Sequence, residues 1–223
     1  MSADKGILKI ITTDDGSHSL LNTALNETYH SRHGAMRESQ HVFIEHGLLM
    51  AAQKFDNIRV LEVGFGTGLN AWLTWLQTQE KEINVHYTAL DTVPLEKEIV
   101  QNLNYAVDGI PQKHFRQLHD SPWNLDVALS SHFTLHKQLI ALQQFVTQKK
   151  FHCIYYDAFG PQVQPEMWKR ALFEKMYAML EPAGVLVTYC AKGQVRRDLA
   201  SFGFQVERMQ GPPGKREMLR ACK

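Results

Sequence analysis

Apolar residues along the chain alternate between short β-branched runs and longer stretches with helical spacing, the signature of strands and helices in succession. The clearest junction joins a β-prone run, Ile58 to Val63, to the loop Gly64-Phe65-Gly66-Thr67-Gly68, and that loop to a helix-period stretch from Leu69 to Gln79. Downstream, Asn84 to Leu90 predicts a second strand ending in Asp91, and Leu95 to Tyr105 a helix. Phe115 to Leu118 reads as a brief third strand and Phe151 to Tyr156 as a fourth. Pro165-Glu166 opens a predicted helix to Leu180 with Met167, Ala171, Met176 and Leu180 inward, which Pro182-Ala183-Gly184 ends. Val185 to Tyr189 is a fifth strand and Gln194 to Phe202 a helix; Phe204 to Met209 and Lys215 to Ala221 form a terminal antiparallel pair across Gly211-Pro212-Pro213-Gly214. The stretch from Asn124 to Lys150 fits a hairpin and a helix equally.

Upstream of the glycine loop, Ile7 to Ile11 and Ser19 to Leu21 flank the turn Asp14-Asp15-Gly16, which predicts a β-hairpin. A polar, irregular segment from Glu27 to Ala35 follows. From Glu38 to Ala52, residues Val42, Phe43, His46, Leu48, Leu49 and Ala52 share a helical face interrupted by Gly47. Strands alternating with helices imply an α/β fold around a mainly parallel sheet.

Composition narrows the setting. With 223 residues, 44% hydrophobic and 21% charged, the chain suits one globular domain: an extension with a covering helix over residues 1–52 and a core over 53–223. A net charge of +1 leaves any nucleic-acid contact to a local patch. Cys153, Cys190 and Cys222 form no C-x-x-C pair, which points to reduced thiols in a cytoplasmic protein. No apolar run reaches the length of a membrane span, so no membrane partner is expected. His30, His33 and His41 lack the spacing of a metal site, and no metal is expected.

The candidate chemistry lies at the strand ends. Glycines at a helix N-terminus let backbone N–H groups approach an anionic ligand. The spacing departs from the dinucleotide fingerprint, whose third glycine falls one position later. Asp91, at the tip of the second strand, is placed to accept hydrogen bonds from ribose hydroxyls or to cap the next helix. Asp157, delivered by the fourth strand, should face the glycine loop; a carboxylate there suits an amine or caps a turn.

Glu62 followed by Gly64-x-Gly66-x-Gly68 resembles motif I of the class I S-adenosylmethionine methyltransferases. That resemblance implies a Rossmann-like, seven-stranded, mostly parallel sheet with helices on both faces, here with a small N-terminal hairpin. It also implies that Glu62, Gly64, Phe65, Gly66, Thr67, Gly68 and Asn70 handle the methionine end of the cofactor. Asp91 would hold its ribose, and Asp120 with Ser121 would lie beside its adenine, unless Ser121-Pro122 only starts a turn.

Further segments narrow the family. Glu62 through Asn70, Asp157-Ala158-Phe159-Gly160-Pro161 with Pro165-Glu166-Met167-Trp168, Val195 through Leu199, and Gly214-Lys215-Arg216-Glu217-Met218 resemble the tRNA 5-methylaminomethyl-2-thiouridine-forming methyltransferases. The entry region, Glu27 to Ser31, Gly34-Ala35, Glu38-Ser39 and His41 to Ile44, is similar as well. The resemblance implies N-methylation of an aminomethyl group on the wobble uridine of tRNA, with the tRNA anticodon region as partner and functional coupling to the enzymes that make the aminomethyl precursor. The bifunctional members carry a flavin oxidase domain for which a chain ending at Lys223 has no room, so a stand-alone or excised methyltransferase using S-adenosylmethionine without FAD is expected.

In that reading Asp157 orients the amine and helps its proton leave. Tyr29, His30, Tyr156, Phe159 and Trp168 are candidates to wall the uridine. Lys192, Arg196, Arg197, Lys215 and Arg216 would form a phosphate rim, or merely solvated helix faces. Methylation or aminopropyl transfer on a small-molecule amine, and a noncatalytic nucleotide- or RNA-binding module, are the alternatives.

Overall fold

A computed structural model describes residues 7–105 and 109–223. The chain opens with a three-stranded antiparallel sheet, β1 (Leu8–Thr12), β2 (His18–Asn22) and β3 (Glu27–Thr28). The expected hairpin is therefore present and gains a third strand. The covering helix follows as α1 (Ala35–Ser39), a π-helical stretch over Gln40–Leu48 and α2 (Leu49–Ala52). Gly47 lets this helix lie close on the main sheet, for a Cβ there would sit 3.0 Å from both Tyr155 and Val187.

The main sheet has eight strands in the order β10-β11-β9-β8-β4-β5-β7-β6. Its five parallel members are β4 (Asn57–Val63), β5 (Asn84–Asp91), β7 (Phe133–Leu139), β8 (Phe151–Tyr156) and β9 (Leu180–Thr188). β6 (Asp126–Ser130) lies antiparallel at one edge, and β11 (Glu217–Cys222) runs antiparallel between β9 and β10 (Gln205–Gln210). The sheet thus exceeds the expected seven strands by the edge strand β6, and the segment open between hairpin and helix supplies the β6–β7 hairpin.

The expected third strand is a helix. Phe115 and Leu118 are both buried within α5 (Lys113–Asp120), a three-residue spacing that suits a helical face. β7 takes the position beside β5, burying Phe133, Leu135 and Lys137 in strict alternation. The helix beginning at Leu95 shortens to α4 (Lys97–Gln101). The long helix from Pro165 is broken at Lys169, between a 3₁₀ turn over Pro165–Trp168 and α6 (Arg170–Met179). The break rotates the buried face to Leu172, Phe173, Met176 and Met179 and leaves Ala171 exposed.

Helices cover both faces. The covering helix, α3 (Leu69–Lys81) and α5 pack on one side through Phe43, Trp72 and Phe115; α6 and α7 (Gly193–Ser201) pack on the other through Phe173 and Leu199. Strand order reverses between β4 and β8, which opens a crevice at their carboxyl ends. Among the described residues, no helix is long and apolar enough to cross a membrane.

Candidate active site

A cavity of about 1160 Å³ occupies that crevice, large enough for a nucleoside-sized cofactor and an acceptor group together. Its floor is the turn from β4 into α3. Gly64, Gly66 and Gly68 all have positive φ (94°, 49° and 74°), and the Gly64 and Phe65 N–H groups donate to the Leu90 carbonyl at the end of β5. A side chain at Gly66 would also press on Tyr29, since a Cβ would lie 3.1 Å from that ring.

Asp91 steadies this loop while lining the cavity. Its Oδ2 accepts the Gly66 N–H at 2.8 Å, and its Oδ1 accepts the N–H groups of Thr92 and Val93 at 2.7 and 3.0 Å. Asp91 closes a turn onto Thr92 and Val93 and does not cap α4, which starts at Lys97 after Glu96; its Oδ2 keeps one acceptor site unused by the hydrogen bonds described. Val93, Leu95, Ile99 and Ile140 form an apolar wall beside it.

Across the crevice, Asp157 lines the cavity directly after β8. Asn70, in the first turn of α3, donates from Nδ2 to Asp157 Oδ2 at 2.8 Å. Burial pushes the Asp157 carboxyl up to about 7, with the nearby Glu38 adding to the rise and the Asn70 hydrogen bond and Lys215 opposing it. Asp157 is therefore poised to exchange a proton near neutrality.

Glu62 stands apart from the cavity lining. It is fully buried on β4, and neither oxygen has a hydrogen-bond partner among the described residues. Asn70 and Tyr87 face it, and Asn70 Oδ1 and the Tyr87 hydroxyl are likewise unpartnered there. Burial, then the charge of Asp157, push the Glu62 carboxyl well above the usual range.

The aromatic candidates divide. Tyr29 and Phe159 line the cavity and meet edge-on at 5.1 Å between ring centres. His30 lines it too, with Nε2 2.6 Å from Thr67 Oγ1; burial lowers its pKa to about 4, so the ring is neutral at physiological pH. Tyr156 instead points into the core on the α6 side, its hydroxyl donating to the Met167 carbonyl. Trp168 lies behind the cavity and props its wall, donating from Nε1 to the Phe159 carbonyl at 2.7 Å.

Asp120 and Ser121 also fall outside the cavity. They end α5, where Asp120 is exposed and the Ser121 hydroxyl donates to the Gln117 carbonyl at 2.6 Å; the helical conformation of this segment removes them from the strand-end position. Of the expected basic rim, only Lys215 reaches the cavity. Lys192 contacts the cavity-lining Gln162 at 2.5 Å, whereas Arg196, Arg197 and Arg216 are exposed away from the lining.

Glu38 and Tyr189 line the cavity although no sequence motif singles them out as site residues. Glu38 is buried and ion-paired with Lys215, whose ammonium lies 3.9 Å over the Tyr189 ring. No local motif joins residues so far apart; only the inclusion of both Glu38 and Lys215 in matching segments hinted at them. Behind the glycine loop, His119 donates from Nε2 to the Thr67 carbonyl at 2.9 Å, and buried Lys137 donates to the His119 carbonyl at 2.7 Å. Among the described residues, no three His, Cys, Asp or Glu side chains cluster as metal ligands.

Comparison with known families decides the class, because a profile described as S-adenosyl-L-methionine-dependent methyltransferase matches residues 95–223, more than half of the chain. The chain belongs to that methyltransferase family. It is 29% identical, over 86% of its length, to a tRNA 5-methylaminomethyl-2-thiouridine biosynthesis bifunctional protein MnmC from Methylobacillus flagellatus, of which it covers 32%. A second MnmC, from Hydrogenovibrio crunogenus, is 27% identical over 88% of the chain and 31% of its own length. The chain thus spans about a third of the curated relatives it matches. Among solved structures, MnmC2 from Aquifex aeolicus superposes with a TM-score of 0.82 at 24% identity, covering 98% of this chain and 71% of that one, and supports the same fold.

Proposed function

We propose that this methyltransferase transfers the methyl group of S-adenosylmethionine to the amine of a 5-aminomethyl group on the wobble uridine of tRNA, giving the 5-methylaminomethyl nucleoside with or without a 2-thio group. The observation that carries this reading is Asp157: a carboxyl poised near neutrality, held by Asn70 in a cavity floored by the glycine loop. The names of the relatives supply the acceptor class.

The residues present fit the cofactor. The loop Gly64 to Gly68 and the first turn of α3 present backbone to its methionine end, Asp91 retains acceptor capacity for ribose, and the apolar wall at Val93, Leu95, Ile99 and Ile140 suits adenine. Asn70 lines this region, and Glu62 lies buried beside it on β4. When bound, the cofactor supplies an electrophilic methyl carbon on a sulfonium.

The chain's own groups prepare the nucleophile. A primary alkylamine with a pKa of about 10 arrives protonated, and only its neutral form has a lone pair to attack. Asp157 takes one proton from the ammonium, which frees the lone pair to accept the methyl group that the cofactor would supply; the product leaves as the methylated ammonium and Asp157 returns its proton to solvent. Nothing in this displacement is oxidised or reduced, so it calls for no flavin. Tyr29 and Phe159 wall the uridine, and Lys215 and Lys192 border the entrance. The enzyme works where tRNA does, in the cytoplasm, downstream of an activity that supplies the aminomethyl group.

The test is methyl transfer from labelled cofactor to tRNA bearing 5-aminomethyluridine, with nucleoside mass analysis. One added methyl on that nucleoside is expected, and Asp157→Ala should abolish it while leaving cofactor binding nearly intact. No transfer alongside intact cofactor binding refutes the acceptor, and an active Asp157→Ala protein refutes the role of the carboxyl.

A further inference from the structure

The glycine loop has a conformational problem that its own residues do not solve. Gly66 and Gly68 flank Thr67 with φ of 49° and 74°, and glycine on both sides leaves the Thr67 peptide units free to rotate. A loop that ordered only when the cofactor arrived would weaken binding by the entropy lost in ordering it. Restraints from other parts of the chain remove that cost.

Asp91 takes the Gly66 N–H, and Thr67, only 1% exposed, is gripped at two further points. Its hydroxyl lies 2.6 Å from His30 Nε2, and its carbonyl accepts the His119 Nε2–H at 2.9 Å. The other polar end of the Thr67–Gly68 peptide, the Gly68 N–H, donates to the Phe65 carbonyl at 2.8 Å. Both ends of that peptide are thus held, one within the loop and one from α5.

His119 is itself fixed. Its ring centre lies 5.1 Å from that of Phe65 and 5.2 Å from that of Phe115, and its backbone carbonyl accepts from the Lys137 ammonium at 2.7 Å. Gly68 makes room for it, since a Cβ there would lie 2.8 Å from His119 Nε2. Burial lowers the His119 pKa to about 4, against the Thr67 hydrogen bond and with the charge of Lys137, so the ring is neutral at physiological pH. A neutral imidazole has one N–H and a carbonyl only accepts, which places that proton on Nε2. His119 does not line the cavity and can act on a ligand only through the loop.

We propose that His119 is a positioning residue for the cofactor: by holding the Thr67–Gly68 peptide it gives the glycine loop its binding conformation before the cofactor arrives. The inference rests on the methyltransferase family and is independent of which acceptor the enzyme uses.

The experiment measures binding of S-adenosylhomocysteine by calorimetry to wild type, His119→Leu, His119→Gln and Leu118→Val, with no tRNA present. His119→Leu should bind about tenfold more weakly, the scale of one lost hydrogen bond with its buried carbonyl left unpaired. His119→Gln, which keeps an N–H donor on a side chain of similar reach, should recover most of the affinity. Leu118→Val loosens the same helix without removing a hydrogen bond; it should lower Tm yet bind within about twofold of wild type. Unchanged affinity in His119→Leu, or a loss as large as that of His119→Leu in either of the other variants, overturns the proposal.

Two NMR measurements on the ligand-free protein complete the test. The imidazole nitrogen signals of wild type should show His119 as the Nε2–H tautomer, and a proton on Nδ1 overturns the proposal even if no variant folds. In His119→Leu the Gly68 N–H should exchange with solvent about tenfold faster than in wild type. Equal exchange in the two also overturns it, because the loop would then be ordered without His119. If tRNA is not methylated, the acceptor reading fails and each of these outcomes keeps its meaning.

Discussion

The hydrogen bond from Asn70 to Asp157 has a consequence that can be worked through to a rate. Asn70 donates to the ionised carboxylate and so holds its pKa down against burial. A hydrogen bond to a charged group contributes about 1.5–3 kcal/mol, and in Asn70→Ala a water entering the space vacated beside the open cavity recovers part of it. A net loss of about 1.4 kcal/mol raises the carboxyl by about one pH unit. The acid limb of single-turnover methyl transfer, expected near pH 7 in wild type, should therefore move to about 8. At neutral pH the ionised fraction would drop from about half to about one-tenth, slowing transfer about fivefold, with recovery at alkaline pH. The assay is single-turnover transfer across pH at saturating cofactor, which removes any change in cofactor affinity from the rate. A variant equally slow at every pH, or one whose limb stays in place, refutes the argument that Asn70 tunes Asp157.

Two further predictions concern stability. Gly47→Ala should destabilise the fold by about 1–3 kcal/mol, because the added methyl meets Tyr155 and Val187 where neither has room; thermal unfolding should show a Tm lower by several degrees. Burial lowers Lys137 from 10.5 to about 8, so between those values the unfolded chain binds the proton that the folded chain has released. Stability from this group therefore rises with pH across that window, by about 2 kcal/mol once solvent screening is allowed for. Urea unfolding at several pH values should show the rise in wild type and a flatter curve in Lys137→Met; an equal rise in both would exclude Lys137 as its source.

The parts of the site legible in the sequence are those built by neighbours in sequence. A strand, three spaced glycines and a helix make the loop without help from distant segments, and Asp91 and Asp157 follow because each directly succeeds a strand. Phe115 and Leu118 misled because three-residue spacing in so short a run also passes for a strand, and Asp120 and Ser121 were misplaced with them. The strand that belongs beside β5 was obscured by Lys137, a charged residue buried where alternation calls for an apolar one. Tyr156 was misassigned because aromatic character does not say which layer a strand residue faces; it packs against Phe173 and Trp168. Glu38 and Lys215, separated by 177 positions, meet only through the tertiary fold.

That separation also bears on how the protein comes into being. The Glu38–Lys215 pair and the contact of His41 with the Gln210 carbonyl at 2.8 Å fasten the covering helix to the β10–β11 hairpin. During synthesis the glycine loop and Asp157 emerge well before Lys215, so a nascent chain has a cleft floor while one wall is still missing. Contacts of such long range close late. The cleft thus acquires its full charge pattern only after the β10–β11 hairpin docks.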